Sequence, residues 1–220
     1  MRDLGDGLWV HEEPLAIAVV EAGRRMAVVR LADGSLLVHS PATLTPALRA
    51  ELDALGPVRF VVAPSAVHGH LALGDYARAY PDAELHGGPG LDVRRKDLVF
   101  AGVLGSTPDP RWAGDLDQAA ALGHRLVTEI VFLHRASRSL LIGDLAVTVK
   151  PSNLAERLWA GPGDHLRTPR PYRLDIRDRR QARAALDRIL AWDFDRVVTG
   201  HGPIVERGGR DALRSAYAFL

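Results

Sequence analysis

Short apolar runs broken by turn residues dominate the first forty positions. Runs 8–12, 15–20, 26–31 and 36–39 are β-prone, and Glu21-Ala-Gly and Ala32-Asp-Gly between them have the composition of hairpin turns. The pattern predicts a strand meander rather than a βαβ start. Thr45-Pro46 then opens a predicted helix, with threonine as N-cap and proline in the first turn. Leu48, Leu52 and Leu55 share one face, and Gly56-Pro57 stops it. Val58 to Ala63 is an apolar run that reads as a buried strand, ended by Pro64 and Ser65.

Residues 71–80 read as a helix with Leu73, Tyr76 and Tyr80 on one side and Pro81 as its stop. Runs 83–86 and 98–103 are expected strands, separated by the tight loop Gly87-Gly-Pro-Gly. Segments 125–133 and 139–142 predict a hairpin turning near Ala136-Ser137. A symmetric register sets Ile130 opposite Asp144 and His134 opposite Leu140. His134 is then about four residues, or ~13 Å, from Asp144, too far to share a ligand with it. Glu129 lies at the right end, but period-two alternation turns it to the other face, so it is expected to support a site rather than line it.

Between 150 and 183 the chain carries nine basic residues against four acidic ones. Pro151 to Tyr172 is a long excursion with one short helix near 154–159. It reads either as a solvated surface or as a lid whose Arg167, Arg170 and Arg173 favour anionic substrates. A helix over 179–192 turns Ala182, Leu186, Ile189 and Leu190 inward, a strand follows at 196–199, and a helix at 211–219 closes the chain.

The 220 residues are read as one domain, 1–220, and 47% hydrophobic content is enough to fill a core. A net charge of +1 gives no electrostatic case for nucleic acid. With no cysteine there is no thiolate nucleophile or ligand, so any metal must use His, Asp or Glu. No run approaches the ~20 apolar residues of a membrane span, and the first seven residues do not resemble a signal peptide. A cytoplasmic protein without a membrane partner is the expectation.

Chemistry gathers at the strand ends. His68 and His70 sit two apart in the loop after the 58–63 strand, a spacing that can turn both imidazoles toward one ion such as zinc. Gly123-His124 precedes the hairpin, Gly143-Asp144 follows it, and Gly200-His201 follows the 196–199 strand. Other histidines read as ordinary: His11 and His39 on strands, His86 at a strand end and His165 in the excursion. Ser65 lacks the Gly-x-Ser-x-Gly setting of a nucleophile elbow.

This order of His-x-His loop, Gly-His turn, Gly-Asp strand end and final Gly-His resembles the metallo-β-lactamase fold superfamily. A closer resemblance is to domain of unknown function 4336, an uncharacterised branch of it. That likeness rests on Arg25-Met-Ala-Val-Val-Arg-Leu-Ala-Asp-Gly, Val38-His-Ser-Pro, Pro89-Gly-Leu, Glu129-Ile-Val-Phe-Leu-His-Arg-Ala-Ser-Arg-Ser-Leu and Ile189-Leu-Ala-Trp-Asp-Phe-Asp-Arg. The resemblance implies an α+β, four-layer αββα sandwich of two packed mixed sheets with outer helices. It implies metal ligands at His68, His70, His124, Asp144 and His201, with Asp144 and His201 also in catalytic roles; whether His124 or Glu129 is a ligand stays open.

The superfamily pattern continues His-x-His-x-Asp-His, but here Ala72 and Leu73 hold the last two places. Neither binds metal, so the expectation is one divalent ion, zinc or iron, and no second metal. The implied activity is hydrolysis of a small-molecule ester, lactone, amide or phosphoester. The alternatives are a catalytically idle binding or scaffold domain and an iron-dependent oxidoreductase.

Overall fold

Two β-sheets face each other across a shared apolar layer, and helices cover the outer face of each. The computed structural model describes residues 1–17, 20–21 and 23–220. Residues 18, 19 and 22, which include parts of the predicted 15–20 run and of its turn, lie outside the described residues.

The first half runs through β1 (Arg2–Gly5), β2 (Leu8–Glu13), the short ribbon β3 (Ala16–Ile17) and β4 (Val20–Glu21), β5 (Arg24–Arg30) and β6 (Leu36–His39). It continues with α1 (Pro46–Leu55), β7 (Val58–Ala63), α2 (Leu73–Ala79), β8 (Glu84–Gly87), α3 (Leu91–Arg94) and β9 (Gly102–Val103). The second half holds β10 (Leu116–Ala121), β11 (Glu129–His134), β12 (Ser139–Leu141), α4 (Leu154–Ala160), α5 (Arg170–Asp175), α6 (Arg179–Leu190), β13 (Arg196–Val198) and α7 (Gly209–Ala216). One sheet has the order β1-β2-β5-β6-β7-β8-β9, antiparallel as far as β6 and parallel from there on. The other has the order β10-β11-β12-β13, with only its last pair parallel.

Strand periodicity assigns the layers. Val29, Leu37, Phe60 and Val62 of the first sheet meet Leu116, Ile130, Phe132 and Leu141 of the second in the central layer. Val28, Val38 and Val61 point the other way, onto Leu48 and Leu52 of α1 and Tyr76 of α2. Val131, Leu133 and Leu140 point outward onto Leu186 and Ile189 of α6 and Leu213 of α7. The result is the four-layer αββα arrangement. The helices are capped as their sequences require. The Thr45 hydroxyl accepts from the Leu48 N–H at 3.1 Å, and the Asp178 carboxylate accepts from the Gln181 N–H at 2.9 Å.

Two local expectations are corrected, and one strand without a sequence signal is added. The 98–103 strand shrinks to β9, two residues paired to β8. β10, alanine-rich and weak in β-propensity, is a full strand because all six of its residues pair with β11. The hairpin register differs by one residue, with His134 opposite Ser139 rather than Leu140. The turn is tighter than a symmetric one because Arg138 takes a left-handed conformation, φ 50°. Extended past the end of β12, this register brings Glu129 level with Asp144.

Candidate metal centre

The candidate site forms where β7, β12 and β13 end. After β7 the chain turns on Ser65, whose hydroxyl accepts from the N–H of His68 at 3.0 Å and of Val67 at 3.3 Å. The Pro64 carbonyl accepts from Ile130 N at 2.8 Å and ties this loop to the second sheet. His68 is thereby held over the loops that follow β12 and β13. A Cβ on Gly143 would stand 2.9 Å from His68 Cγ, and one on Gly200 would stand 2.5 Å from His68 Cε1. Glycine at both places is what lets the imidazole lie between the two loops.

Those loops deliver Asp144 and His201. Asp144 Oδ1 is 3.3 Å from His68 Nδ1 and 3.0 Å from His201 Nε2. The two imidazole centroids are 5.1 Å apart with their planes at 84°. One ligand atom from each of the three residues fits within a group 4.8 Å across, the one such group among the described residues. His201 Nδ1 lies 2.5 Å from the Gly23 carbonyl oxygen, which can only accept, so Nδ1 carries the hydrogen. Nε2 therefore meets a carboxylate oxygen with its lone pair unless a proton or a metal cation lies between them.

The electrostatics agree. Burial alone would raise the Asp144 carboxyl, but the neighbouring His68 and His201 hold it well below the ordinary carboxylate range. Burial works against a charged His201, yet the hydrogen bond and charge of Asp144 outweigh it and raise the imidazole above its usual value. Two imidazoles and a carboxylate are a donor set that suits zinc with an open position, and equally a non-haem iron. The residues present thus fit one divalent cation held by His68, Asp144 and His201.

Supporting contacts come from residues with no metal-like spacing. Glu129, fully buried in β11, accepts from the backbone N–H groups of Gly143 and Asp144, each at 2.7 Å, and of Leu145 at 2.9 Å. Burial and the charge of Asp144 push its carboxyl upward, against the pull of those three donors, which favour the ionised form. Glu129 thus sits behind the Asp144 loop, as a support. Arg25 of β5 is buried and donates to the carbonyls of Thr199 and, at 2.6 Å, Gly202, clamping the His201 loop. Tyr172 of α5 donates its hydroxyl to Asp144 Oδ2 at 2.7 Å, and burial, followed by the charge of Asp144, raises the phenol so that it stays protonated. Sequence reasoning left Tyr172 unassigned, and Arg25 carried a signal only as part of a family-like run.

Of the five residues expected to converge, His68, Asp144 and His201 do so, whereas His70 and His124 are not members of the group. His70 lies near Arg94 and Arg95, with its pKa lowered first by burial and then by those charges. The His124 ring packs on Tyr172 at 6.0 Å, and its Nδ1 is 3.6 Å from Asp175 Oδ2. Each keeps a buried Nδ1 with no hydrogen-bond partner among the described residues. Ala72 and Leu73 are buried in the core between the first sheet and its helices. Arg167, Arg170 and Arg173 line a cavity of about 390 Å³ with His165 and Phe219, which none of His68, Asp144 and His201 borders.

A family model described as Domain of unknown function (DUF4336) matches residues 5–157. The chain belongs to this family. The matched span carries His68, Glu129 and Asp144, while Tyr172 and His201 lie beyond it. No curated protein matches the sequence. Among solved structures, a metallo-β-lactamase from Pontibacter korlensis superposes with TM-score 0.67 at 13% identity, over 99% of this chain and 98% of that one. The metallo-β-lactamase FIM-1 from Pseudomonas aeruginosa, in its mono-zinc form, gives 0.66 at 11%, over 99% and 94%. A metal-soaked Flv1 flavodiiron core from Synechocystis sp. PCC6803 gives 0.65 at 14%, over 97% of this chain and 58% of that one. This DUF4336 member therefore has the metallo-β-lactamase fold. No helix among its described residues is long and apolar enough to cross a membrane.

Proposed function

We propose that this DUF4336 protein is a mononuclear metal-dependent hydrolase of a small ester, lactone, amide or phosphoester. The observation that carries the reading is the meeting of His68 Nδ1 and His201 Nε2 on a single oxygen of Asp144. A divalent cation there supplies Lewis acidity toward a carbonyl or phosphoryl oxygen and brings the pKa of a water near ~7. The chain's own residues do the holding. Asp144 provides the anionic charge, and His201, its Nδ1–H committed to Gly23, presents Nε2 alone. Zinc is the metal we assign first, with a single ion per chain.

A cleft of about 660 Å³, a size suited to a small-molecule substrate, opens over the backbone on either side of His201. It is lined by Gly23, Arg25, Gly200 and Gly202; the side chains of His68, Asp144 and His201 lie behind this lining rather than in it. Glu12 and Glu13 on its walls pair with Arg25 and Arg24, so its charge is balanced. The cleft favours neutral or zwitterionic substrates.

A second reading is supported by the donor set itself. Two histidines and one carboxylate also make the iron site of non-haem oxidoreductases. A third follows from the short His201–Asp144 contact, which a proton satisfies as well as a metal, leaving a catalytically idle binding domain. Elemental analysis of untagged protein, followed by turnover of ester, lactone and phosphoester panels, tests all three. Stoichiometric zinc with metal-dependent hydrolysis supports the proposal. Stoichiometric iron without hydrolysis supports redox chemistry, and a folded protein without metal supports the idle domain.

A further inference from the structure

Asp144 uses its two oxygens differently. Oδ1 faces both imidazoles, while Oδ2 accepts the Tyr172 hydroxyl at 2.7 Å. A carboxylate free to rotate about its last bond presents either oxygen, or both, to a cation. One already tied through Oδ2 presents Oδ1 in a fixed direction.

The tie is rigid because α5 is pinned on several sides. Asp175 at its end accepts through its carboxylate from the N–H groups of Leu126 at 3.1 Å and Val127 at 3.3 Å. Its carbonyl accepts from Arg125 N at 2.9 Å, and Ile176 bridges to His124. Arg173 rests on the Phe219 ring at 4.2 Å. The Tyr172 ring packs on His124. Little freedom remains for the hydroxyl to leave Oδ2.

We propose that Tyr172 is a positioning residue for the cation: by holding Oδ2 it makes Asp144 a one-oxygen ligand aimed between His68 and His201. The proposal rests on the metal reading of that cluster. It assigns to the basic excursion a task different from that of a lid, because the excursion and α5 bring Tyr172 to the carboxylate. A group that orients a metal ligand through a hydrogen bond typically contributes 10–100-fold in affinity.

Tyr217 supplies the control. Its hydroxyl donates to the Leu145 carbonyl at 2.8 Å, bracing the same loop without touching the Asp144 carboxylate. Full-length wild type, Tyr172→Phe and Tyr217→Phe would be stripped of metal and titrated with zinc against a chelating competitor. Cobalt(II) absorption would report coordination, and circular dichroism the fold. The expected result is one zinc per chain in the wild type and a 10–100-fold weaker Kd in Tyr172→Phe. Its cobalt bands should weaken as Asp144 swings to two-oxygen binding, while Tyr217→Phe keeps wild-type affinity and spectrum. Wild-type affinity and spectrum in Tyr172→Phe would overturn the proposal alone. Equal weakening in both variants would also overturn it, by showing that the loop and not the carboxylate is affected. A wild type that binds no zinc would overturn it together with the hydrolase reading.

Discussion

His201 Nε2 lies 3.0 Å from Asp144 Oδ1 while its other ring nitrogen donates to the Gly23 carbonyl. A neutral imidazole cannot make both contacts favourably, because its single hydrogen is already used. The pair therefore stores a requirement for a positive charge, which a proton or a metal can meet. His68 Nδ1 approaches the same oxygen at 3.3 Å, so both imidazoles face Oδ1. Asp144 joins the two imidazoles through Oδ1, while Tyr172 donates to its Oδ2 and Glu129 accepts from its backbone N–H.

Gly200 and Gly143 are predicted to be intolerant of a methyl group. At Gly200 a Cβ would sit 2.5 Å from His68 Cε1 and 2.8 Å from the Gly143 carbonyl oxygen, and neither glycine has a positive φ, so the cost is steric. Gly200→Ala should lose about 1–3 kcal/mol in urea unfolding, as overpacking does, and should weaken metal binding. Gly105→Ala, where a Cβ meets nothing within 4 Å, should be tolerated. Equal behaviour of the two variants would mean that His68 does not lie between the loops.

The fold was legible wherever local chemistry agreed with tertiary context. β7 carries its apolar run to the residue, and α1 begins where Thr45-Pro46 says it should. β10 was not legible, because Leu-Asp-Gln-Ala-Ala-Ala has no strand signal until β11 pairs with it. Among site residues, His68, Asp144 and His201 were readable because each follows a strand end beside a turn. The His-x-His spacing did not settle where His70 points, since an irregular loop imposes no period. Tyr172 lies in a proline- and arginine-rich stretch and owes its role to α5 packing over the Asp144 loop, which no local pattern encodes.

Glu129→Gln tests the support beneath Asp144. Three N–H groups converge on the two carboxylate oxygens, and an amide would turn an NH2 toward at least one of them. A buried donor left without an acceptor costs about 1–3 kcal/mol. The variant should unfold at correspondingly lower denaturant and bind metal more weakly. Unchanged stability would show that the three N–H groups are satisfied some other way.

His39 predicts an acid-side loss of stability. It is buried against Phe132, its Nε2 has no partner among the described residues, and burial depresses its pKa from 6.5 to about 3. Because the folded-state value lies below the unfolded one, the unfolded chain binds the extra proton. The stabilisation by neutral His39 is complete above about pH 6.5 and is lost as pH falls toward 3. The slope from this group approaches about 1.4 kcal/mol per pH unit. Urea midpoints at pH 7, 5 and 4 should fall more steeply for wild type than for His39→Phe, and parallel curves would remove His39 as the cause.

The most direct measurement is the metal content of the purified, untagged protein beside that of Asp144→Asn. Asparagine keeps the shape of Asp144 but removes the charge that both imidazoles face. One equivalent of zinc or iron per wild-type chain and none in a folded Asp144→Asn is the predicted result. A folded wild-type protein that takes up no stoichiometric metal, even when supplied with excess zinc or iron, would contradict the account and leave His201–Asp144 as a protonated ion pair.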